Sequence, residues 1–285
     1  MDKQQEIWTV LKILTWTKDY LAKKGIENAR LEAEWMLCEL LGLDRVGVYV
    51  NFERPMNDSE LALFRSMVAR RARREPLQYI LGTQEFMGLE FEVSFNVLIP
   101  RHDTATLVEE AIRVCPNARR VLDIGVGSGC IAISLARLLP GAEVCGVEKS
   151  PEALSLAVHN AEKVGVKVNL RQGSLFEPFA VERFDLVVSN PPYIPTGDLG
   201  GLQPEVREFE PREALDGGID GLDFYRAIIP AAPEHLSPGG WLLFEVGIGQ
   251  ADQVRGLFEE TGRFGEITTA KDQGEIDRVV GGRLM

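Results

Sequence analysis

The chain lacks any apolar run approaching the ~20 residues that a membrane-spanning helix needs. Its first residues, Met1-Asp2-Lys3-Gln4-Gln5-Glu6, lack the charged-then-apolar layout of a signal peptide. Cysteine and histidine are scarce. Cys38, Cys115, Cys130 and Cys145 lie far apart, and with three scattered histidines they make no metal-ligand spacing. These absences predict a cytoplasmic protein with no membrane partner and no metal. Positive charge is also short, since the net charge is −12. Residues 1–82 hold 13 Lys/Arg against 12 Asp/Glu, whereas residues 83–285 hold 18 against 31. An acidic surface repels phosphate backbones, so no direct nucleic-acid partner is expected.

What is present is the composition of an ordinary globule, 45% hydrophobic and 26% charged over 285 residues, enough for one or two domains. The stretch Phe184-Asp185-Leu186-Val187-Val188-Ser189-Asn190-Pro191-Pro192-Tyr193 organises the rest. Its apolar run reads as a buried strand of a parallel sheet, and the two prolines end it, because neither can donate a ladder hydrogen bond. In an open α/β sheet, ligands bind beyond the carboxyl ends of the strands. Asn190 to Tyr193 therefore belong at the lip of a crevice, although the string alone is equally compatible with a rigid turn.

Residues 1–82 read as a small helical bundle. The first helix runs from Lys3 to about Lys24 and ends at Gly25. The second, Ala29 to Leu41, has Asn28 as its cap and Leu31, Trp35, Leu37, Leu40 and Leu41 as its apolar set. A third opens at Asn57-Asp58-Ser59-Glu60, capped by Asp58, with Leu61, Leu63, Phe64, Met67 and Val68 buried. Arg70, Arg71, Arg73 and Arg74 crowd its end, where cations suit the helix dipole, and read as a solvated helix end ahead of a contact surface for an acidic or mixed-charge partner. Residues 83–99 change period. Leu89, Phe91 and Val93 alternate with Glu90 and Glu92, which predicts a β-hairpin linking the bundle to a domain over residues 100–285.

That domain carries a second motif. Arg120 to Ile124 is a short strand, Gly125-Val126-Gly127-Ser128-Gly129 a glycine turn, and Cys130 to Leu139 a helix. Glycines let the backbone approach a ligand, and the helix start behind them offers free amides. Asp123 is placed to hold the turn's amides or a ligand amine. The next strand ends at Glu148, 23 residues after Gly125, where a carboxylate can accept from both hydroxyls of a ribose. A dinucleotide fingerprint needs a small third residue where this chain has Cys130, so a nucleoside without pyrophosphate fits better, with S-adenosylmethionine the leading candidate. Ser174 and Leu175, after a third strand at Val166 to Leu170, form a wall of the adenine pocket. The polar stretch Ile194 to Gly221 is too long for a plain connector and reads as a lid or substrate site. A helix from Leu222 to Leu236, a strand from Gly240 to Val246, a helix from Ala251 to Glu260 and two strands near Gly265–Thr269 and Arg278–Val280 complete an α/β pattern.

The two motifs combine into one chemistry. An amide or aromatic amine nitrogen is a poor nucleophile because its lone pair is delocalised. Acceptors that hold both N–H groups out of the ground-state plane turn that lone pair toward an electrophilic methyl. The Asn190 side-chain oxygen and the Pro191 carbonyl are candidate acceptors, Pro192 stiffens the loop, and Tyr193 can stack on a flat substrate group.

At these residues the sequence resembles the protein-(glutamine-N5) methyltransferases that modify peptide chain release factors. The resemblance rests on Glu75-Pro76-Leu77-Gln78-Tyr79-Ile80-Leu81-Gly82, Ile99-Pro100-Arg101, Asp123-Ile124-Gly125, Val188 to Ile194, Glu210-Pro211-Arg212-Glu213-Ala214-Leu215 and Asp277-Arg278-Val279-Val280. It implies a five-helix-like N-terminal domain, a hairpin linker and a Rossmann-like methyltransferase domain that uses S-adenosylmethionine. It also implies that the glutamine of a Gly-Gly-Gln loop is methylated. Where the family often has proline, glutamate, aspartate and a bulky aromatic, this chain has His102, Ala105, Ser174 and Leu175. Two other readings stay open here: an adenine-N6 nucleic-acid methyltransferase, which shares Asn-Pro-Pro-Tyr, and a non-catalytic adenosylmethionine-binding scaffold. Residues 1–82 are expected to dock the release factor, and the protein to act as a monomer.

Overall fold

The computed structural model describes residues 7–285, so the Lys3 start of the first helix lies outside the described residues. By its internal contacts the chain divides into two units. One ends at Gly82 and includes Pro204–Phe209; the other comprises Thr83–Gln203 and Glu210–Met285.

Caps set the helices of the first unit. α1 (Val10–Lys23) starts where Thr9 accepts a hydrogen bond from the Lys12 amide at 3.3 Å. α2 (Ala29–Leu41) follows Asn28, whose side chain makes no cap bond, and ends at Gly42 in the left-handed conformation. Two short helices, α3 (Arg45–Val50) and α5 (Leu77–Leu81), flank α4 (Asp58–Arg71) in sequence. The cap of α4 is Asn57, not Asp58: Asn57 accepts from the Glu60 amide at 2.9 Å, and Glu60 accepts from the Asn57 amide at 3.0 Å. This reciprocal box satisfies two orphan donors, which Asp58 one residue later cannot do. The buried face runs through Leu61, Phe64 and Val68, while Leu63 is 60% exposed, because it falls off the three-and-four spacing. Likewise Ala33, Met36 and Leu37 are buried and Trp35 is exposed.

The arginine cluster is solvated only in part: Arg73 is exposed, whereas the other three are engaged. Arg71 is 6% exposed and pairs with Glu32 and, at 3.0 Å, with Glu205. Arg74 donates to the Gly25 carbonyl at 2.7 Å and to Glu205 at 2.9 Å, and Arg70 pairs with Glu75. The decisive partner, Glu205, arrives from more than a hundred residues downstream, so helix-end reasoning could not include it.

In the second unit, β1 (Thr83–Phe86) and β2 (Leu89–Glu92) form the expected hairpin. Met87 and Gly88 both have positive φ, 50° and 74°, the backbone of a tight two-residue turn. Phe86 and Phe91 pack with Leu107, Val121 and Leu135, so the hairpin shares the core of this unit. The remaining elements are α6 (Ala105–Val114), β3 (Arg120–Ile124), α7 (Cys130–Leu138), β4 (Glu143–Glu148), α8 (Pro151–Val164), β5 (Asn169–Gln172), β6 (Phe184–Ser189), α9 (Pro204–Phe209), α10 (Asp223–Ala231), β7 (Leu236–Glu245), α11 (Ala251–Thr261), β8 (Phe264–Lys271) and β9 (Asp277–Leu284). By contact α9 belongs to the first unit.

The sheet has seven strands in the order β5-β4-β3-β6-β7-β9-β8. The first five are parallel, and β9 runs antiparallel to both of its neighbours. Both faces are covered, as an apolar parallel strand requires. Along β6, Leu186 and Val188 pack with the α6–α7 side, whereas Val187 packs with Tyr225 and Ile228 of α10. This is a Rossmann-like fold. The third strand begins three residues later than the sequence suggests, and α10 is shorter, because Pro230 and Pro233 convert its expected continuation into a 3-10 turn at Ala232–Glu234.

Candidate active site

The strand order reverses at β3, with β4 on one side and β6 on the other, so the carboxyl ends of β3 and β6 flank the switch point where open sheets bind ligands. Register aligns the motifs. Ile124 pairs with both Val147 and Ser189, and Ser189 pairs with Phe244. The next residue on each strand is therefore Glu148, Gly125, Asn190 or Glu245, and these four form one row across the carboxyl edge. Ser189 locks the centre by donating its hydroxyl to the Ile124 carbonyl at 2.7 Å.

The glycine turn is held from β4. The Gly125 and Val126 amides donate to the Val147 carbonyl at 2.9 and 3.2 Å. Gly125 has φ 81°, and a Cβ built there meets nothing within 4 Å, so the backbone faces open space. Gly129 has φ 88°, a backbone conformation that strongly favours glycine, and its Cβ would also crowd the end of the Ile133 side chain at 2.7 Å. Glu148 accepts from the Gly127 amide and from the Ser150 amide, each at 2.9 Å. It is thus oriented by backbone while each oxygen keeps a further lone pair.

Asp123 is fully buried. One oxygen accepts from the Ala132 amide at 3.1 Å at the start of α7, and the other, Oδ1, has no partner. Burial pushes its pKa up to about 7; the Ala132 amide opposes that, and nearby Glu148 adds to it. A buried acid with an unanswered oxygen is a poor packing element and a good receptor for a donor or cation. Ser128 is buried, and its carbonyl accepts from Asn160 Nδ2 at 2.8 Å. Ser174 and Leu175 follow β5; Leu175 has φ 50° and packs against the core through Phe176 and its neighbours.

At the other motif, Asn190 is half-buried and donates Nδ2 to the Thr104 hydroxyl at 3.4 Å. Pro191 is buried and Pro192 partly so. Tyr193 donates its hydroxyl to Glu245 at 3.3 Å, and its carbonyl accepts from Gln250 at 2.9 Å. Burial holds the Tyr193 phenol well above its usual range. Close packing fixes the loop behind it: a Cβ at Gly221 would lie 2.2 Å from the Tyr193 carbonyl oxygen. The described residues contain no cluster of potential metal ligands.

Residues 12–82 match the family model described as PrmC N-terminal domain, and residues 102–199 that described as Methyltransferase small domain. A release factor glutamine methyltransferase of Geobacter sulfurreducens is 66% identical over 284 residues, covering 100% of each chain. The chain belongs to the release factor glutamine methyltransferase family. Another protein of that name, from Moorella thermoacetica, is 43% identical over 262 residues, covering 90% of this chain and 92% of its own. The crystal structure of the hMettl16 catalytic domain in complex with the MAT2A 3′UTR hairpin 6 aligns with TM-score 0.56 at 16% identity, covering 81% of this chain and 84% of that one, a likeness of fold alone.

In this methyltransferase Asn160, Thr104 and Glu245, all around the site, escaped sequence reasoning. Asn160 is fully buried and ties β2 to the glycine turn: it accepts from the Glu92 amide at 2.8 Å and donates to the Glu92 and Ser128 carbonyls at 3.0 and 2.8 Å. The only signal was an uncharged polar residue on the apolar face of α8. Thr104 and Glu245 adjoin Asn190 and Tyr193, and neither carries a local signature. Glu210 is 6% exposed, pairs with Arg101 and accepts from the Ile99 amide at 3.3 Å, anchoring the stretch after Ile194 to the Ile-Pro-Arg segment. No described helix is long and apolar enough to cross a membrane.

Proposed function

We propose that this chain, working as a cytoplasmic monomer, transfers a methyl group from S-adenosylmethionine to the side-chain amide nitrogen of the glutamine in the Gly-Gly-Gln loop of peptide chain release factors. Asn190 carries the reading. Its Nδ2 is engaged by Thr104, which leaves Oδ1 to accept an N–H of the substrate amide. The Pro191 carbonyl accepts the second N–H, and the two prolines hold both acceptors in place before the substrate arrives. Tyr193, steadied at both ends by Glu245 and Gln250, stacks on the planar amide.

The residues present fit the cofactor. The unanswered Asp123 oxygen suits a cationic group, and open space over Gly125 and Gly127 admits a ligand against the backbone. Asp123, Gly125, Val126, Gly127, Ser128 and Gly129 would hold it, Glu148 would accept from its ribose, Ser174 and Leu175 would wall its adenine, and Asn190 would border its methyl. The cofactor supplies an electrophilic sulfonium methyl. The protein's part is to hold the amide nitrogen against it, so much of the acceleration is positioning.

Residues 1–82 dock the body of the release factor on this reading. Arg70, Arg71 and Arg74 do not serve that surface, since their guanidiniums are already paired within the unit. The test is mass spectrometry of a release factor and an adenine-containing oligonucleotide after incubation with the enzyme and S-adenosylmethionine. One added methyl on the Gly-Gly-Gln glutamine is expected; methylation of the oligonucleotide alone overturns the proposal.

A further inference from the structure

We propose that Asn160 is a positioning residue for the cofactor: through its side-chain amide the β-hairpin, a linker by sequence, becomes part of the support of the glycine turn. The inference rests on the reading that this turn holds S-adenosylmethionine. Asn160 lies on α8 and is fully buried. Its three hydrogen bonds fix which end of the amide is which, because a backbone N–H can only donate and a carbonyl can only accept. Oδ1 accepts from the Glu92 amide at 2.8 Å, and Nδ2 donates to the Glu92 carbonyl at 3.0 Å and to the Ser128 carbonyl at 2.8 Å. The side chain therefore pairs with Glu92 as a neighbouring strand would, and directs its remaining N–H to the turn.

What that last bond restrains is the peptide between Ser128 and Gly129. Its N–H donates to the Val126 carbonyl at 2.9 Å, and its carbonyl meets Asn160. Gly127 and Gly129 have φ of 56° and 88°, and glycine crosses between positive and negative φ at little steric cost. A peptide beside a glycine can therefore rotate unless both of its ends are held. Glu148 holds the turn from the β4 side through the Gly127 amide, and Asn160 holds it from the α8 side. The helix is close enough to do so because a Cβ on Gly129 would lie 3.4 Å from that of Ala157, on the same face of α8. The other end of the tie is anchored separately. Phe86 and Phe91 of the hairpin lie in the core with Leu107 and Val121, and Lys163 of α8 pairs with Glu90 at 2.8 Å. Asn160 thus stands between a fixed strand and a glycine turn. A turn already held in its binding conformation needs no further ordering when the ligand arrives. Aspartate at 160 keeps the shape but, when ionised, offers no N–H and sets a negative oxygen against two carbonyl oxygens.

The test uses the full chain with N160D, N160A and, as a control, K163A, which removes an ion pair between the same helix and the hairpin and leaves Asn160 in place. Calorimetry should show S-adenosylmethionine bound about five- to tenfold more weakly by N160D and N160A, the scale of one lost hydrogen bond, and within about twofold of the parent by K163A. With a release factor as substrate, the loss should appear in the cofactor KM, with kcat at saturating cofactor near that of the parent. A folding defect alone would lower the active fraction, and so kcat, at unchanged KM. Hydrogen–deuterium exchange gives a second readout. In the parent, cofactor should slow exchange of residues 89–93 more than exchange of β8 at the sheet edge, and this difference should vanish in N160D. Parental cofactor affinity in folded N160D or N160A, a loss confined to kcat, or an equal loss of affinity in K163A would each overturn the proposal. Should neither Asn160 variant fold, exchange in the parent decides, and equal slowing of residues 89–93 and β8 overturns it. A parent that binds no S-adenosylmethionine would overturn the cofactor reading and this inference with it, whereas a parent that binds and variants that match it sink the inference alone.

Discussion

Both units bury carboxylates, and they treat them oppositely. In the helical unit Glu34 is 1% exposed and receives four hydrogen bonds, from Arg30, Tyr49 and twice from Arg45. Burial raises its pKa, yet these donors outweigh burial and the acid stays below its usual range. In the sheet unit Asp123 and Glu245 are as deeply buried, each keeps an oxygen short of donors, and burial raises both. A satisfied buried acid is a structural rivet. An unsatisfied one at the carboxyl edge of a sheet is held ready for something else. The difference marks Asp123 and Glu245 as candidates for a functional role without reference to any substrate.

Four experiments bear on that contrast. The largest effect is expected at Asn190. Replacing it by alanine removes one of two acceptors for the substrate amide, and turnover should fall about a hundredfold or more, as for loss of one oxyanion-hole donor. Cofactor affinity should change far less; near-parental methylation by N190A would sink the mechanism. Next is the rivet. Glu34→Gln should lower the unfolding free energy by about 1–3 kcal/mol in urea titration, with kcat/KM unchanged, because it weakens charge-assisted bonds far from any motif. A catalytic defect in the folded variant would remove the distinction between the two kinds of acid.

Third is Glu148. Its alanine variant should bind S-adenosylmethionine about tenfold more weakly by calorimetry, the loss of one charge-assisted bond or more. Equal affinity in a folded protein would exclude it from the site. The fourth concerns pH. Asp123 has a folded pKa near 7 against an unfolded value near 4, so between those values the folded state binds the extra proton. Stability should therefore fall as pH rises from about 4 to about 7, and Asp123→Asn should flatten that slope in urea titrations of the cofactor-free protein. A slope unchanged by the substitution would mean that Asp123 is ionised throughout.

Much of this site was legible before any tertiary contact. The glycine turn, the strand-ending prolines and Glu148 announce themselves because backbone conformation and period-two burial are encoded within about ten residues. The caps were read less well. Asn57 and Asp58 are adjacent and chemically alike, and only the reciprocal geometry with Glu60 chooses between them. Leu63, expected on the buried face, is exposed, because angular position on the helix and not hydrophobicity alone decides burial.

The sequence by itself determined on which strands the candidate residues lie: Asp123 and Gly125 at the end of one strand, Glu148 at the end of the next, Asn190 to Tyr193 after a third. Those facts follow from local rules of turns, prolines and buried strands. Only the tertiary structure decided that Glu148, Gly125, Asn190 and Glu245 share one row, because register is set between strands far apart in the chain. It also decided that Arg71 is ion-paired while one oxygen of Glu245 has no donor, since hydrogen-bond supply depends on which distant side chains arrive and on how much water is excluded when they do.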